Sequence, residues 1–70
     1  MENQPPRKRF VRLPEVESLT GYRRSRIYDF VKAGTFPRPC KLGPRSVGWI
    51  ESEVQHWIEE RIEQRDNAAA

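Results

Sequence analysis

Apolar residues recur at helical spacing in three stretches of this chain. Val16 and Leu19 share a face at i, i+3, with Leu13 able to pack beside them. Ile27, Phe30 and Val31 form a second stripe, and Val54, Trp57, Ile58 and Ile62 form a third at i, i+3, i+4, i+8. The stripes predict a first helix over about Pro14–Thr20, a second over about Arg24–Ala33, and a third from Ser52 onward. The flanking residues agree with these bounds. Pro14 suits a first helical position, where a missing N–H is harmless. Glu15 and Glu17 fall in the first turn, where the helix dipole favours negative charge. Gly21 and Gly34 can take the left-handed conformation that ends a helix. Ser52 with Gln55 three residues on fits a capping box. Arg61 and Arg65 lie towards the C-terminal end of the third helix, beyond which Asn67 and the Ala-Ala-Ala tail are expected to fray.

Between Phe36 and Ile50 the pattern changes. Pro37, Pro39, Gly43 and Pro44 exclude a helix. Cys40-Lys41-Leu42 and Val47-Gly48-Trp49-Ile50 read as two short strands around a Gly43-Pro44-Arg45-Ser46 turn. Alternation would put Leu42, Val47 and Trp49 inward, with Arg45 at the hairpin tip and Lys41 on its flank. Residues 1–9 have two prolines, no apolar periodicity and three successive basic residues, which suits a flexible basic arm. Phe10 and Val11 either add a short strand or pack on the core. The order helix, turn, helix, hairpin, helix defines a mainly α fold with a small β-hairpin. It is a winged helix-turn-helix of three helices and a two-stranded wing, with residues 10–66 as the domain and residues 67–70 as a tail.

Bulk properties narrow the setting. Seventy residues make one small domain. The chain is polar, at 36% hydrophobic and 33% charged, but its seven aromatic residues can anchor a core. No apolar run approaches the roughly 20 residues of a membrane span, and the N-terminus lacks the apolar stretch of a signal peptide. The lone Cys40 allows no internal disulfide. A reducing, cytoplasmic, nucleoid-associated location is expected.

Charge is distributed unevenly. Residues 1–46 hold 11 Lys/Arg and 4 Asp/Glu, and residues 47–70 hold 2 arginines and 6 acids, so a front of net +7 is joined to a back of net −4. The basic residues coincide with the second helix and the hairpin, which favours a polyanion partner over ordinary surface charge. Double-stranded DNA fits best, because a short helix with cations at its N-terminal end suits the major groove. Arg24 and Arg26 are the candidates for base contact, since arginine can donate two hydrogen bonds to guanine. Arg23, Ser25 and Lys32 are assigned to phosphates; Tyr28 either lends its hydroxyl to a phosphate, the reading preferred here, or closes the edge of the core. Arg45, with Lys41 beside it, is placed to meet the minor groove or backbone. Trp49 and Trp57 invite a base-stacking role, but both fall on inward positions. His56 has no partner at metal-ligand spacing, and Cys40 reads as a small buried filler. No Ser-His-Asp set, phosphate-binding glycine loop or metal signature is present, so no enzyme activity, cofactor or small-molecule substrate is expected.

At this point the sequence resembles a known family. Arg12-Leu13, Glu15-Val16, Thr20-Gly21, Arg24-Ser25, Ile27-Tyr28, Phe36-Pro37, Leu42-Gly43, Gly48-Trp49 and Glu51-Ser52-Glu53-Val54, with Trp57, follow the pattern of the AlpA family. This is a family of phage and prophage regulators, related to excisionase-type and MerR-type DNA-binding domains. The resemblance covers roughly residues 10–65 and implies a DNA-binding regulator of phage, prophage or mobile-element genes. One position departs from it: relatives often carry a small hydroxyl residue where this chain has Arg23. The usual side-chain cap of the second helix is then absent, and the arginine is free to touch a phosphate.

Two further readings stand beside that one. An excisionase-type factor would use the same fold to bend DNA at an attachment site for an integrase. A protein-interaction module would instead work through the acidic last helix, and the degree of exposure of its apolar stripe discriminates it. RNA binding is disfavoured because the aromatic sheet surface of single-strand readers is missing. So small a reader is expected to act in several copies on DNA, or with an integrase or RNA polymerase partner.

Overall fold

The computed structural model describes residues 8–68. Its elements are β1 (Phe10–Val11), α1 (Leu13–Thr20), α2 (Arg24–Ala33), β2 (Cys40–Gly43), β3 (Ser46–Ile50) and α3 (Glu51–Ala68). The helix–turn–helix–hairpin–helix order is as expected. The hairpin gains a third strand, because β1 pairs antiparallel with β3 through Phe10↔Ile50 and Val11↔Trp49. The sheet order is β1-β3-β2, all antiparallel.

Neither α1 nor α2 has a side-chain hydrogen bond at its N-cap, Arg12 or Arg23. The Arg12 carbonyl accepts from the N–H groups of Glu15 and Val16, both at 3.0 Å, and so starts α1. Gly21 (φ 81°) ends it, donating to the Glu17 carbonyl at 2.8 Å. Thr20 Oγ1 donates to Val16 O at 2.9 Å and accepts from the Tyr22 N–H at 3.2 Å, so the turn satisfies its own polar groups. Arg23 stands at the N-cap of α2 and makes no capping hydrogen bond with its side chain. Gly34 (φ 81°) and Thr35 close α2, with the Thr35 N–H reaching back to Phe30 O at 2.9 Å. A Cβ at Gly34 meets no atom within 4 Å, so its requirement is conformational rather than steric. Gly34→Ala should therefore cost about 1–2 kcal/mol, the left-handed penalty for a residue with a Cβ, read as a lower urea midpoint at unchanged slope.

Seven apolar side chains are buried: Val11, Val16, Ile27, Phe36, Trp49, Val54 and Trp57. Leu13, Tyr28, Phe30, Val31, Val47 and Ile58 pack around them, half-buried. The two indoles do more than fill space. Trp49 Nε1 donates to Pro37 O at 2.9 Å, and Trp57 Nε1 donates to Thr35 O at 2.6 Å. Phe36 packs edge-on against Trp57, with centroids 4.9 Å apart. The connection from α2 to the hairpin is thus fixed at both ends of its bend by tryptophans from β3 and α3.

Five details differ from the sequence expectation. Leu42 is 41% exposed rather than inward, because the β2–β3 register shifts between Lys41 and Gly43 and turns it out of alternation. It lies over Gly48, where a Cβ would come within 2.8 Å of Leu42 Cδ1. Leu19 and Ile62 are exposed although they continue the apolar stripes of α1 and α3. The capping box does not form: α3 starts one residue earlier, at Glu51, whose N–H donates to Arg9 O at 2.8 Å. No Ser52–Gln55 hydrogen bond occurs among the described residues. The helix also runs through Asn67 and Ala68, residues expected to fray. Cys40 is half-buried rather than a core filler.

Candidate nucleic-acid interface

The basic residues between Arg9 and Arg45 fall into two groups once their partners are known. Arg9 and Arg12 are committed within the fold. Arg9 donates through Nε to Glu51 at 2.9 Å and through Nη2 to Glu15 at 2.8 Å, joining the start of α1 to the start of α3. The hydrogen bond and charge of Glu51, with the charge of Glu15, raise the Arg9 pKa above its ordinary value. Arg12 Nε donates to Val47 O at 3.0 Å and ties the entry of α1 to β3.

The second group is exposed and makes no ion pair among the described residues. It comprises Arg23, Arg24, Arg26 and Lys32 on α2, Arg38 in the following loop, Lys41 on β2 and Arg45 in the β2–β3 turn. Arg23, Arg24, Ser25 and Arg26 crowd the first turn of α2, while Lys32 sits in its last turn. About two turns of helix, roughly 10 Å, separate the two ends. The Arg26 guanidinium carbon lies 5.9 Å from the Phe30 ring centroid, at the limit of cation–π reach, which steadies one side of that arginine. Tyr28 is half-buried with its ring centroid 5.9 Å from that of Trp49. Its ring thus joins α2 to the strand that carries the hairpin.

Two exposed charged residues on these elements, Arg38 and Asp29, were not among the sequence candidates. Arg38 is an exposed cation on the loop held by the tryptophans. Asp29 is exposed and falls between Ser25 and Lys32 on the outward stripe of α2. The spacing Ser25, Asp29, Lys32 (i, i+4, i+7) was visible in the sequence, but attention to cations passed over the single acid among them. A carboxylate there works against a phosphate and suits the amino group of cytosine.

Elsewhere the polar chemistry is sparse. His56 is exposed and lies 3.3 Å from Glu60, one helical turn on. Among the described residues no three His, Cys, Asp or Glu side chains cluster as a metal site. No described helix is long and apolar enough to cross a membrane.

Two helices joined by a glycine turn, a three-stranded sheet whose hairpin forms the wing, and a bracing third helix define a winged helix-turn-helix. The chain belongs to the family described as prophage CP4-57 regulatory protein (AlpA), whose model matches residues 9–62. It is 46% identical over 55 residues to the uncharacterized protein ORF88 of Enterobacteria phage P4, covering 79% of this chain and 62% of that protein. It therefore spans about three fifths of the P4 relative's length. It is also 42% identical over 59 residues to a DNA-binding transcriptional activator, AlpA, of Escherichia coli strain K12, covering 76% of this chain and 84% of that one. No solved structure matches.

Proposed function

We propose that this chain is a sequence-specific, double-stranded DNA-binding regulator of phage, prophage or mobile-element genes. In this reading α2 enters the major groove, with Arg24 and Arg26 at base edges and Arg23, Ser25, Tyr28 and Lys32 along the phosphates. The wing, with Lys41 and Arg45, lies on the minor groove or backbone. Asp29 adds a second reading group, an acceptor for cytosine.

The observation that carries the proposal is the division of the cations. Two are spent holding the fold together, and those on α2, the loop and the wing are exposed without an ion-pair partner among the described residues. A DNA duplex supplies such partners in a regular array. An α-helix about 10–12 Å across with its side chains also suits a groove about 12 Å wide, and α2 is ten residues long. The E. coli relative bears DNA binding and transcriptional activation in its own description.

The wing tests the geometry separately from the helix. Arg45→Ala should weaken binding to specific and unrelated duplexes alike, and lower the salt slope of log K by about one unit. Fluorescence anisotropy on two unrelated duplexes over a salt series measures both. An unchanged slope would remove Arg45 from the phosphate contacts.

A further inference from the structure

The apolar stripe of α3 does not end in the core. Val54 and Trp57 are buried and Ile58 half-buried, but Ile62 is 45% exposed. It shares an open groove of about 290 Å³ with Leu19 and Tyr22, between the end of α1 and the second half of α3. Both of those are exposed as well. The charge around this groove is unlike the rest of the helix. Residues 51–68 carry six acids and two arginines, and both arginines, Arg61 and Arg65, line the groove while no carboxylate does.

We propose that this groove seats a second copy of the same chain, with the two α3 helices side by side and parallel about a two-fold axis. The charge pattern of α3 carries the argument. At about 100° per residue, Glu59, Glu63 and Asp66 fall on one flank of Ile62, and Ile58, Arg61 and Arg65 fall on the other. The helix thus has an apolar ridge with an acidic flank and a basic flank. A two-fold axis along the helices sets the basic flank of each copy against the acidic flank of the other. An antiparallel pair would set acid against acid and arginine against arginine. The parallel arrangement brings the two copies of Ile62 together at the axis and sets Glu59 and Glu63 of each copy toward Arg61 of the other, while Arg65 already pairs with Asp66 of its own chain at 2.8 Å.

The contact is short. From Ile58 to Ala68 the helix spans about 16 Å, which keeps the buried area below about 1,200 Å² and the association weak and reversible. The inference does not rest on the DNA reading, and its test contains no DNA. Sedimentation equilibrium of the full chain from about 10 μM to 1 mM should show the mean mass rising from that of one 8.3 kDa chain towards twice that value. Ile62→Glu should weaken the association at least about tenfold. The site is exposed, so the variant should keep its helical circular dichroism and melting profile. Glu63→Arg with Asp66→Arg makes both flanks basic and should also weaken it. A chain that stays monomeric throughout, or a dimer indifferent to Ile62→Glu, would overturn the proposal. A dimer sensitive to Ile62→Glu but indifferent to the flank change would overturn the parallel arrangement.

Discussion

Trp49→Ala is expected to unfold most of the protein at room temperature. Trp49 is the largest fully buried side chain, and removing so large a core residue costs about 3–5 kcal/mol. A small domain has little more than about 5 kcal/mol in total, so that loss is comparable to its whole stability. Two further effects point the same way. The Pro37 carbonyl loses the indole N–H that satisfies it, and the Tyr28 ring loses its neighbour on β3. Trp49→Phe separates these contributions. It keeps an aromatic ring but leaves Pro37 O unpaired, and should cost about 1–3 kcal/mol. Urea unfolding followed by circular dichroism measures both. A Trp49→Ala protein that unfolds cooperatively within about 1 kcal/mol of the parent would contradict the role assigned to this indole. The variant also bears on function, because Pro37 lies on the connection between α2 and the wing. Loosening that connection should uncouple the wing from α2 and, in the proposed reading, weaken DNA binding.

The second large effect concerns recognition. Arg26→Ala should weaken binding to the preferred duplex by about 1–3 kcal/mol, roughly 5- to 150-fold, and relax the preference at one base pair. Arg26 is exposed and its contact with Phe30 is at the edge of reach, so stability should change little. Arg26→Lys keeps the charge but loses the two-pronged geometry, and should recover general affinity without the base preference. Asp29→Ala differs in kind. It removes a negative charge from the outward stripe of α2, so affinity for unrelated DNA should rise, while a cytosine preference in the selected site should fade. Competition binding against single-base variants of the preferred site separates these outcomes. An Arg26→Ala protein with unchanged preference at every position would remove that residue from base readout.

The main elements were legible in the sequence because their signals were local. The stripe Ile27, Phe30, Val31 between Arg23 and Gly34 marked α2 over the range it adopts. The proline and glycine cluster from Pro37 to Pro44 marked the hairpin, with Arg45 in its turn. What was left open or escaped was set by tertiary packing. Of the two alternatives for Phe10 and Val11, the strand forms because β3 offers an edge to pair with. Leu42 followed the alternation of a strand until the register shift at Lys41–Gly43 turned it outward. The Ser52–Gln55 box does not form because α3 already begins at Glu51, directly after β3 and with its N–H held by the Arg9 carbonyl. Helical periodicity also marks an apolar stripe without saying what covers it, which is why Ile62 read as core and is exposed. For the proposed surface, charge alone singled out the arginines of α2 and Arg45 as candidates. It did not separate Arg9 and Arg12, whose side chains bond to Glu51 and to Val47 O, from the cations that make no such bond among the described residues.

The most direct test of the central claim is selection of preferred sequences from random duplex DNA by the purified protein, at low and at raised salt. The account predicts a recovered motif that survives the salt increase, because base contacts from α2 persist when phosphate contacts are screened. Enrichment at low salt alone, without a motif, would contradict sequence-specific readout and leave only the attraction of exposed cations for a polyanion.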